Sequence, residues 1–337
     1  MKFLVIGLGS MGKRRIRCLQ YLKEKNIIGF DVREDRCKEV KEKYGVETFA
    51  RFEDAMAKKP DVFIISVPSN LHHHYAMRVA KEKKHFFTES NFLSEGIDDL
   101  VAIEEKGGLV AVPSFTLSHK HSLKLMKKFA KEKKTGKILS FIYHLGAYLP
   151  DWHSCEDYRH VYYSKKETSG CREMVAFELT WITWMLGKIK KVSAFKSKVS
   201  DLETDIDDIY QVILELDNGI LGNMMIDVIS RKSGREMKLV GEEGNIVWNS
   251  EESKLKVYLA EKKEWEEYPE ENELLTEPGY SVKINERMYI EEIDDFLKAL
   301  KGEKSYPYTF RQERGIVDVL KAIDESAETG KTMEVKL

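Results

Sequence analysis

No stretch of this chain approaches the roughly eighteen consecutive apolar residues of a membrane span, so a transmembrane protein is not expected. An excess of charge of one sign is missing too. The 55 Lys and Arg nearly balance 57 Asp and Glu, and a net of −2 leaves no field to draw nucleic acid or a membrane surface. Cysteine is sparse: Cys18, Cys37, Cys155 and Cys171 are scattered, with no C-x-x-C. That argues against a disulfide scaffold or zinc ribbon and for reduced thiols. Internal repeats and low-complexity linkers are also absent. A lysine before the first apolar run mimics a signal peptide, but glycines cut the run and Lys13-Arg14-Arg15 follows it, the wrong order of charge for secretion. A cytoplasmic, soluble protein is expected.

What is present starts at the N-terminus. Lys2 to Ile6 is a short strand-forming run that stops at Gly7-Leu8-Gly9-Ser10-Met11-Gly12, a G-x-G-x-x-G. Ile16, Leu19 and Leu22 follow at roughly helical spacing, then the apolar run Ile27 to Phe30 and Asp31. Alone the glycine motif is weak; between a strand and a helix it is the context that the motif requires. Gly7 allows the tight turn, Gly9 lets the backbone approach a pyrophosphate, and Gly12 lets helix and strand pack closely. The helix N-terminus receives the phosphates. Asp31, at about the expected distance of twenty residues, suits the ribose hydroxyls and would repel a 2′-phosphate. NAD is therefore favoured over NADP, although Arg33 and Arg36 weaken that preference.

At 337 residues the chain has room for two domains. Up to about Ser118, helical and apolar strand patterns alternate: helix over Glu34 to Tyr44, strand over Asp61 to Val67, helix over Leu71 to Lys83, strand over His85 to Thr88. This alternation predicts a doubly wound parallel sheet, with ligands beyond the strand C-termini. The loops after Ile6, Val67 and Thr88 then line one cleft. Beyond Ser118 the pattern turns to long alternating strands, Ile220 to Ser230 among them, with Asp217-Asn218-Gly219 as a hairpin signal. An α/β Rossmann domain over 1–118 and an α+β domain with a large, mostly antiparallel open sheet over 119–337 are expected. Helices are read over Thr168 to Leu186, Arg287 to Leu300 and Arg311 to Glu328, and a surface excursion over Glu261 to Glu277.

The glycine turn, Pro68-Ser69-Asn70-Leu71-His72, Lys84-His85-Phe86-Phe87-Thr88-Glu89, Thr135-Gly136-Lys137-Ile138 and Trp184-Met185-Leu186-Gly187 together resemble the Gfo/Idh/MocA oxidoreductase family. The resemblance implies an NAD(P)-dependent enzyme that oxidises a ring hydroxyl of a sugar, cyclitol or sugar nucleotide, or reduces the ketone. It also implies dimers or tetramers built through the sheet face. By that likeness Gly7, Leu8, Gly9, Ser10, Met11, Gly12, Asp31, Val67, Pro68, Asn70, His72 and Glu89 line the coenzyme. Departures fall at the chemistry. The family's Glu-Lys-Pro is here Glu89-Ser90-Asn91, and the acid and histidine of the substrate-domain helix are matched by Glu173 and Phe177. Phenylalanine cannot serve as the base that takes a hydroxyl proton.

The stretch Asp151-Trp152-His153-Ser154-Cys155-Glu156-Asp157-Tyr158-Arg159 compensates in composition and resembles the substrate-side loop of some family members. Trp152 and Tyr158 suit a sugar face, and Arg159 suits a carboxylate or phosphate. His153 titrates in the range of a proton relay. His153, Glu173 and Tyr158 are therefore the catalytic candidates, with Glu89, Ser90, Trp152, Asp157, Arg159 and Phe177 at the substrate. His72-His73-His74 is not read as a metal site, because adjacent residues on a helix point in different directions. Trp181 and Trp184 read as core. The expectation is an NAD-dependent homodimer or homotetramer acting on a carbohydrate. Two alternatives stand beside it: a catalytically lapsed NAD-binding relative, and an NAD-using glycosidase or lyase.

Overall fold

A computed structural model describes residues 1–92, 96–152, 157–168, 170–252, 254–270 and 286–335. Its first compact unit runs from Met1 to Thr116 and takes in a later stretch ending at Arg314. Strands β1 (Phe3–Ile6), β2 (Ile27–Phe30), β3 (Glu47–Phe49), β4 (Val62–Ile65), β5 (His85–Thr88) and β6 (Ala111–Pro113) form one parallel sheet in the order β3-β2-β1-β4-β5-β6. Every residue of β1, β2 and β4 is buried, as expected for strands covered on both faces. The intervening helices are α1 (Ser10–Tyr21), α2 (Glu34–Tyr44), α3 (Phe52–Ala57), α4 (Ser69–Lys81) and α5 (Ile97–Lys106). The order reverses between β1 and β4, so the loops after these neighbouring strands open at the sheet's switch point.

The second unit begins at Leu117 and resumes from Gly315. Helices α6 (His121–Lys131) and α7 (Gly170–Leu186) accompany β7 (Ile138–Tyr148), β8 (Ile189–Ser197), β9 (Ile209–Leu216), β10 (Leu221–Asp227), β11 (Ile229–Gly241), β12 (Gly244–Asn249), β13 (Lys254–Leu259) and β14 (Glu264–Pro269). Helices α8 (Arg287–Leu300) and α9 (Phe310–Thr329) follow, and β15 (Met333–Glu334) completes a nine-stranded sheet in the order β14-β13-β12-β11-β7-β10-β9-β8-β15. All its pairings are antiparallel except that of β7 with β10. The hairpin at Asp217-Asn218-Gly219 joins β9 to β10.

Three expectations need correction. The division at residue 118 assigned α8 to the second domain, but α8 belongs to the first unit. Its apolar face carries Ile290, Ile293, Phe296 and Leu297, with Phe296 against Phe87 at 5.6 Å, and its Glu292 pairs with Arg15 of α1 at 2.6 Å. The alternating stretch Ile220 to Ser230 is not one strand. Asp227 Oδ1 accepts the N–H groups of Ile229 and Ser230, and β10 and β11 lie on opposite sides of β7. Finally, 264–269 of the acidic excursion is the edge strand β14, paired along its length with β13; 271–277 lies outside the described residues.

Candidate functional site

The glycine turn is built from two kinds of glycine. Gly7 has φ +88°, and a Cβ there would fall 2.4 Å from the Ser66 carbonyl oxygen; a Cβ on Gly12 would fall 1.8 Å from that of Gly7. The fold itself requires both. Gly9 is different, since among the described residues a Cβ there would meet nothing nearer than the Arg36 guanidinium at 3.5 Å. Its lack of a side chain is explained by the close approach of a ligand backbone or phosphate. Gly9 is also the N-cap of α1, with no side-chain cap and no acid in the first turn. The helix start thus keeps its N–H groups and positive dipole end directed at whatever binds there.

Asp31, which follows β2, is 6% exposed. Its Oδ2 accepts the Leu8 N–H at 2.7 Å and its Oδ1 the Arg33 N–H at 2.9 Å. Each carboxylate oxygen retains a second lone-pair direction, which two ribose hydroxyls would use. The residues present therefore fit a dinucleotide.

After β4, Pro68 is the N-cap of α4, which Ser69 begins and on which Asn70 follows. His72 is buried, with Nε2 2.8 Å from the Val67 carbonyl oxygen and Nδ1 without a hydrogen-bond partner. Burial pushes its pKa down to about 4, against the opposing pull of the Val67 carbonyl and Glu89, so the ring is neutral. The next two rings turn elsewhere, His73 to Asp99 at 3.0 Å and His74 to the Tyr75 ring at 5.1 Å.

Glu89 follows β5 and receives Arg15 through Nε at 2.8 Å and Nη2 at 2.7 Å, with the Ser66 hydroxyl at 2.9 Å. Arg15 is fully buried. Burial works against its charge, but Glu292 and Glu89 more than restore it. Glu292 also accepts the hydroxyls of Ser114 and Thr116 at 2.8 Å each. Sequence reasoning missed Arg15, Ser66 and Glu292. The available signal was a charge on the inward face of α1, three and four residues before Cys18 and Leu19, both fully buried.

Ser90 is 4% exposed, and Asn91 has φ 72° while its N–H donates to Glu313 Oε1 at 2.8 Å. Proline can do neither, because its ring fixes φ near −65° and it has no N–H. The loss of the family's proline is thus built into the backbone of this loop.

In the second unit, His153 lies outside the described residues. Trp152 lies against the start of α7, where a Cβ on Gly170 would come within 3.2 Å of the indole, and 5.2 Å from the Tyr163 ring. The Tyr158 hydroxyl accepts the Glu203 N–H at 3.2 Å. Arg159 is bound by Asp157 and Glu203, each at 2.8 Å, and its bonds hold the Asp157 carboxyl down to about 2. Both partners of Arg159 are already carboxylates, which counters its expected role as an anion grip. Glu173 and Phe177 stand one turn apart on α7, each half-buried. Trp181 is core, its indole N–H donating to the buried Glu178 at 2.6 Å, whereas Trp184 is half-buried under Lys127 Nζ at 3.6 Å.

A parallel sheet reversing at its switch point, a ligand-ready glycine turn and a carboxylate after β2 define a dinucleotide-binding Rossmann protein with an appended antiparallel-sheet domain. The chain belongs to the Gfo/Idh/MocA oxidoreductase family. Residues 1–115 match its NAD-binding Rossmann fold and residues 123–247 its C-terminal domain. Among relatives, it is 29% identical over 142 residues to myo-inositol 2-dehydrogenase of Thermotoga maritima, spanning 41% of this chain and 42% of that protein. It resembles levoglucosan dehydrogenase in complex with NADH (TM-score 0.85, 19% identity, 100% and 99% of the two chains). It also resembles the WlbA dehydrogenase of Bordetella pertussis in complex with NADH and UDP-GlcNAcA (TM-score 0.78, 17% identity, 100% and 99%).

Proposed function

We propose that this protein is a cytoplasmic, NAD-dependent oxidoreductase acting on a ring hydroxyl, or the corresponding ketone, of a sugar, cyclitol or sugar nucleotide. The observation that carries this reading is Gly9, a glycine whose missing side chain serves no neighbour in the fold and sits at an uncapped helix start beside Asp31. Family relatives named as inositol and levoglucosan dehydrogenases support the substrate class. In this reading Gly7 to Gly12 cradle the pyrophosphate and Asp31 takes the adenosine ribose. Val67, Pro68, Asn70, His72 and Glu89 line the remainder of the coenzyme. Bound NAD supplies the hydride acceptor. The chain's own residues orient the sugar through Trp152, Tyr158 and Glu173 and take the hydroxyl proton at His153. The test is NAD reduction across a panel of sugars, cyclitols and sugar nucleotides, repeated with His153→Ala.

A specific observation favours a second reading. Ser90 at the usual lysine position is buried, and Asn91 beside it is left-handed, which supports a loop no longer arranged for the family's chemistry. A lapsed relative that binds NAD without turning over would keep the cradle and lose this loop, and the same panel separates the two readings.

Assembly as a homodimer or homotetramer through the sheet is part of the proposal. Ile142, Phe195, Ile213 and Leu221 are all more than 40% exposed on the face of β7 to β10 turned away from α7. The register sets Ile142 and Ile213 on either side of Asn223 in one row. Light scattering at micromolar concentration checks it, and a monomer would overturn it.

A further inference from the structure

The two nicotinamide dinucleotides differ by one phosphate on the 2′ oxygen of the adenosine ribose, the position that a carboxylate after the second strand guards. In this chain the guarding carboxylate does not stand alone. Asp31 Oδ2 lies 3.7 Å from Nη1 of Arg36. Two arginines follow the strand, and the fold uses them differently. Arg33 turns its guanidinium to Asp35, with Nε at 3.1 Å and Nη2 at 2.5 Å. Arg36 instead reaches back from the first turn of α2, so that its Nη1 is 3.5 Å and its Cζ 3.9 Å from a Cβ built on Gly9. Its guanidinium therefore spans the gap between the glycine turn and Asp31, and its side chain keeps 31% exposure.

We infer that Arg36 is a coenzyme-specificity residue: standing between Gly9 and Asp31, it offsets the carboxylate's repulsion of a 2′-phosphate and gives the protein affinity for NADP beside NAD. The inference deepens the proposed function and rests on its coenzyme reading. A carboxylate alone would face the phosphate as a like charge. A guanidinium within ion-pair reach cancels that repulsion and offers a planar fork that matches phosphate oxygens. With NAD the same carboxylate takes the hydroxyls, and Arg36 remains its partner.

Calorimetry of the full chain with NAD and with NADP tests this, comparing wild type, Arg36→Gln, Arg36→Lys and Asp31→Asn, with melting temperatures recorded to confirm folding. Wild type should bind both coenzymes, NAD more tightly. Arg36→Gln should weaken NADP about ten- to a hundredfold more than NAD, the worth of one charge-assisted contact. Arg36→Lys should restore part of that loss, and Asp31→Asn should shift the ratio toward NADP. Equal weakening of both coenzymes by Arg36→Gln, no change in either, or a wild type that binds NAD alone overturns the assignment to Arg36 while leaving the coenzyme reading intact. A wild type that binds neither overturns both.

Discussion

The glycine turn and the loop from Trp152 to Arg159 are both dense in groups that bind ligands, yet they differ in what those groups already hold. At the turn, helix α1 starts without a side-chain cap, and Gly9 has no close neighbour in the fold apart from the Arg36 guanidinium. Around Arg159, by contrast, the described side chains satisfy one another. Asp157 and Glu203 take the guanidinium, the Tyr158 hydroxyl accepts the Glu203 N–H, and Trp152 packs on Tyr163. A polar cluster that closes on itself needs no ligand to explain it. The turn does, since no described neighbour accounts for Gly9.

Mutations separate the two regions. The largest expected effect is at the proposed base: His153→Ala should lower turnover by about a hundred- to ten-thousandfold with NAD affinity unchanged in calorimetry. Turnover that survives removes His153 from the role. Next come the two kinds of glycine. Gly12→Ala forces a Cβ onto the Gly7 carbonyl and should cost roughly 1–3 kcal/mol of stability in denaturant titrations. Gly9→Ala should leave the melting temperature nearly unmoved and weaken NAD alone. Equal destabilisation by the two would erase the distinction on which the coenzyme site rests.

Asp31→Ala should weaken NAD by about tenfold or more and narrow its advantage over NADP, since hydrogen bonds to a charged group are worth about 1.5–3 kcal/mol. Tighter wild-type binding of NADP than of NAD would reverse the reading of Asp31. A smaller effect concerns pH. His72 is held neutral by burial, with its pKa at about 4 against 6.5 when unfolded. Between those values the unfolded chain binds more protons, so this contribution is complete above 6.5 and is lost as pH falls toward 4. His72→Gln should flatten the fall in stability across that window. The smallest effect is expected at Arg159→Ala, whose exposed pairs to Asp157 and Glu203 should barely move the melting temperature.

Much of the coenzyme region was legible in the sequence because its determinants are local. Strand, glycines, helix and acid follow one another within thirty residues, and each glycine's role is set by backbone geometry. The helix Arg287–Leu300 was equally legible as a helix, but its place was not. Periodicity shows that a face is apolar, not which core receives it; the pairing of Glu292 with Arg15 and the packing of Phe296 on Phe87 tie α8 to the first unit. In the sequence Arg15 is one member of the basic run Lys13-Arg14-Arg15, whereas burial between two carboxylates decides its role. Likewise, the change to Ser90-Asn91 was visible as lost chemistry. That it accompanies a left-handed residue donating to Glu313 depends on a partner 222 positions away. The break at Asp227 was hidden because the apolar alternation continues through the reversal.

The most direct test of the account is steady-state NAD reduction by the wild-type chain across neutral sugars, cyclitols and sugar nucleotides, with NAD affinity measured on the same preparation. NAD should bind, and at least one of these carbohydrates should support NADH formation that His153→Ala abolishes or strongly reduces. NAD binding with no reduction by any member of the panel would contradict it and establish the coenzyme cradle as the surviving half of a lapsed enzyme.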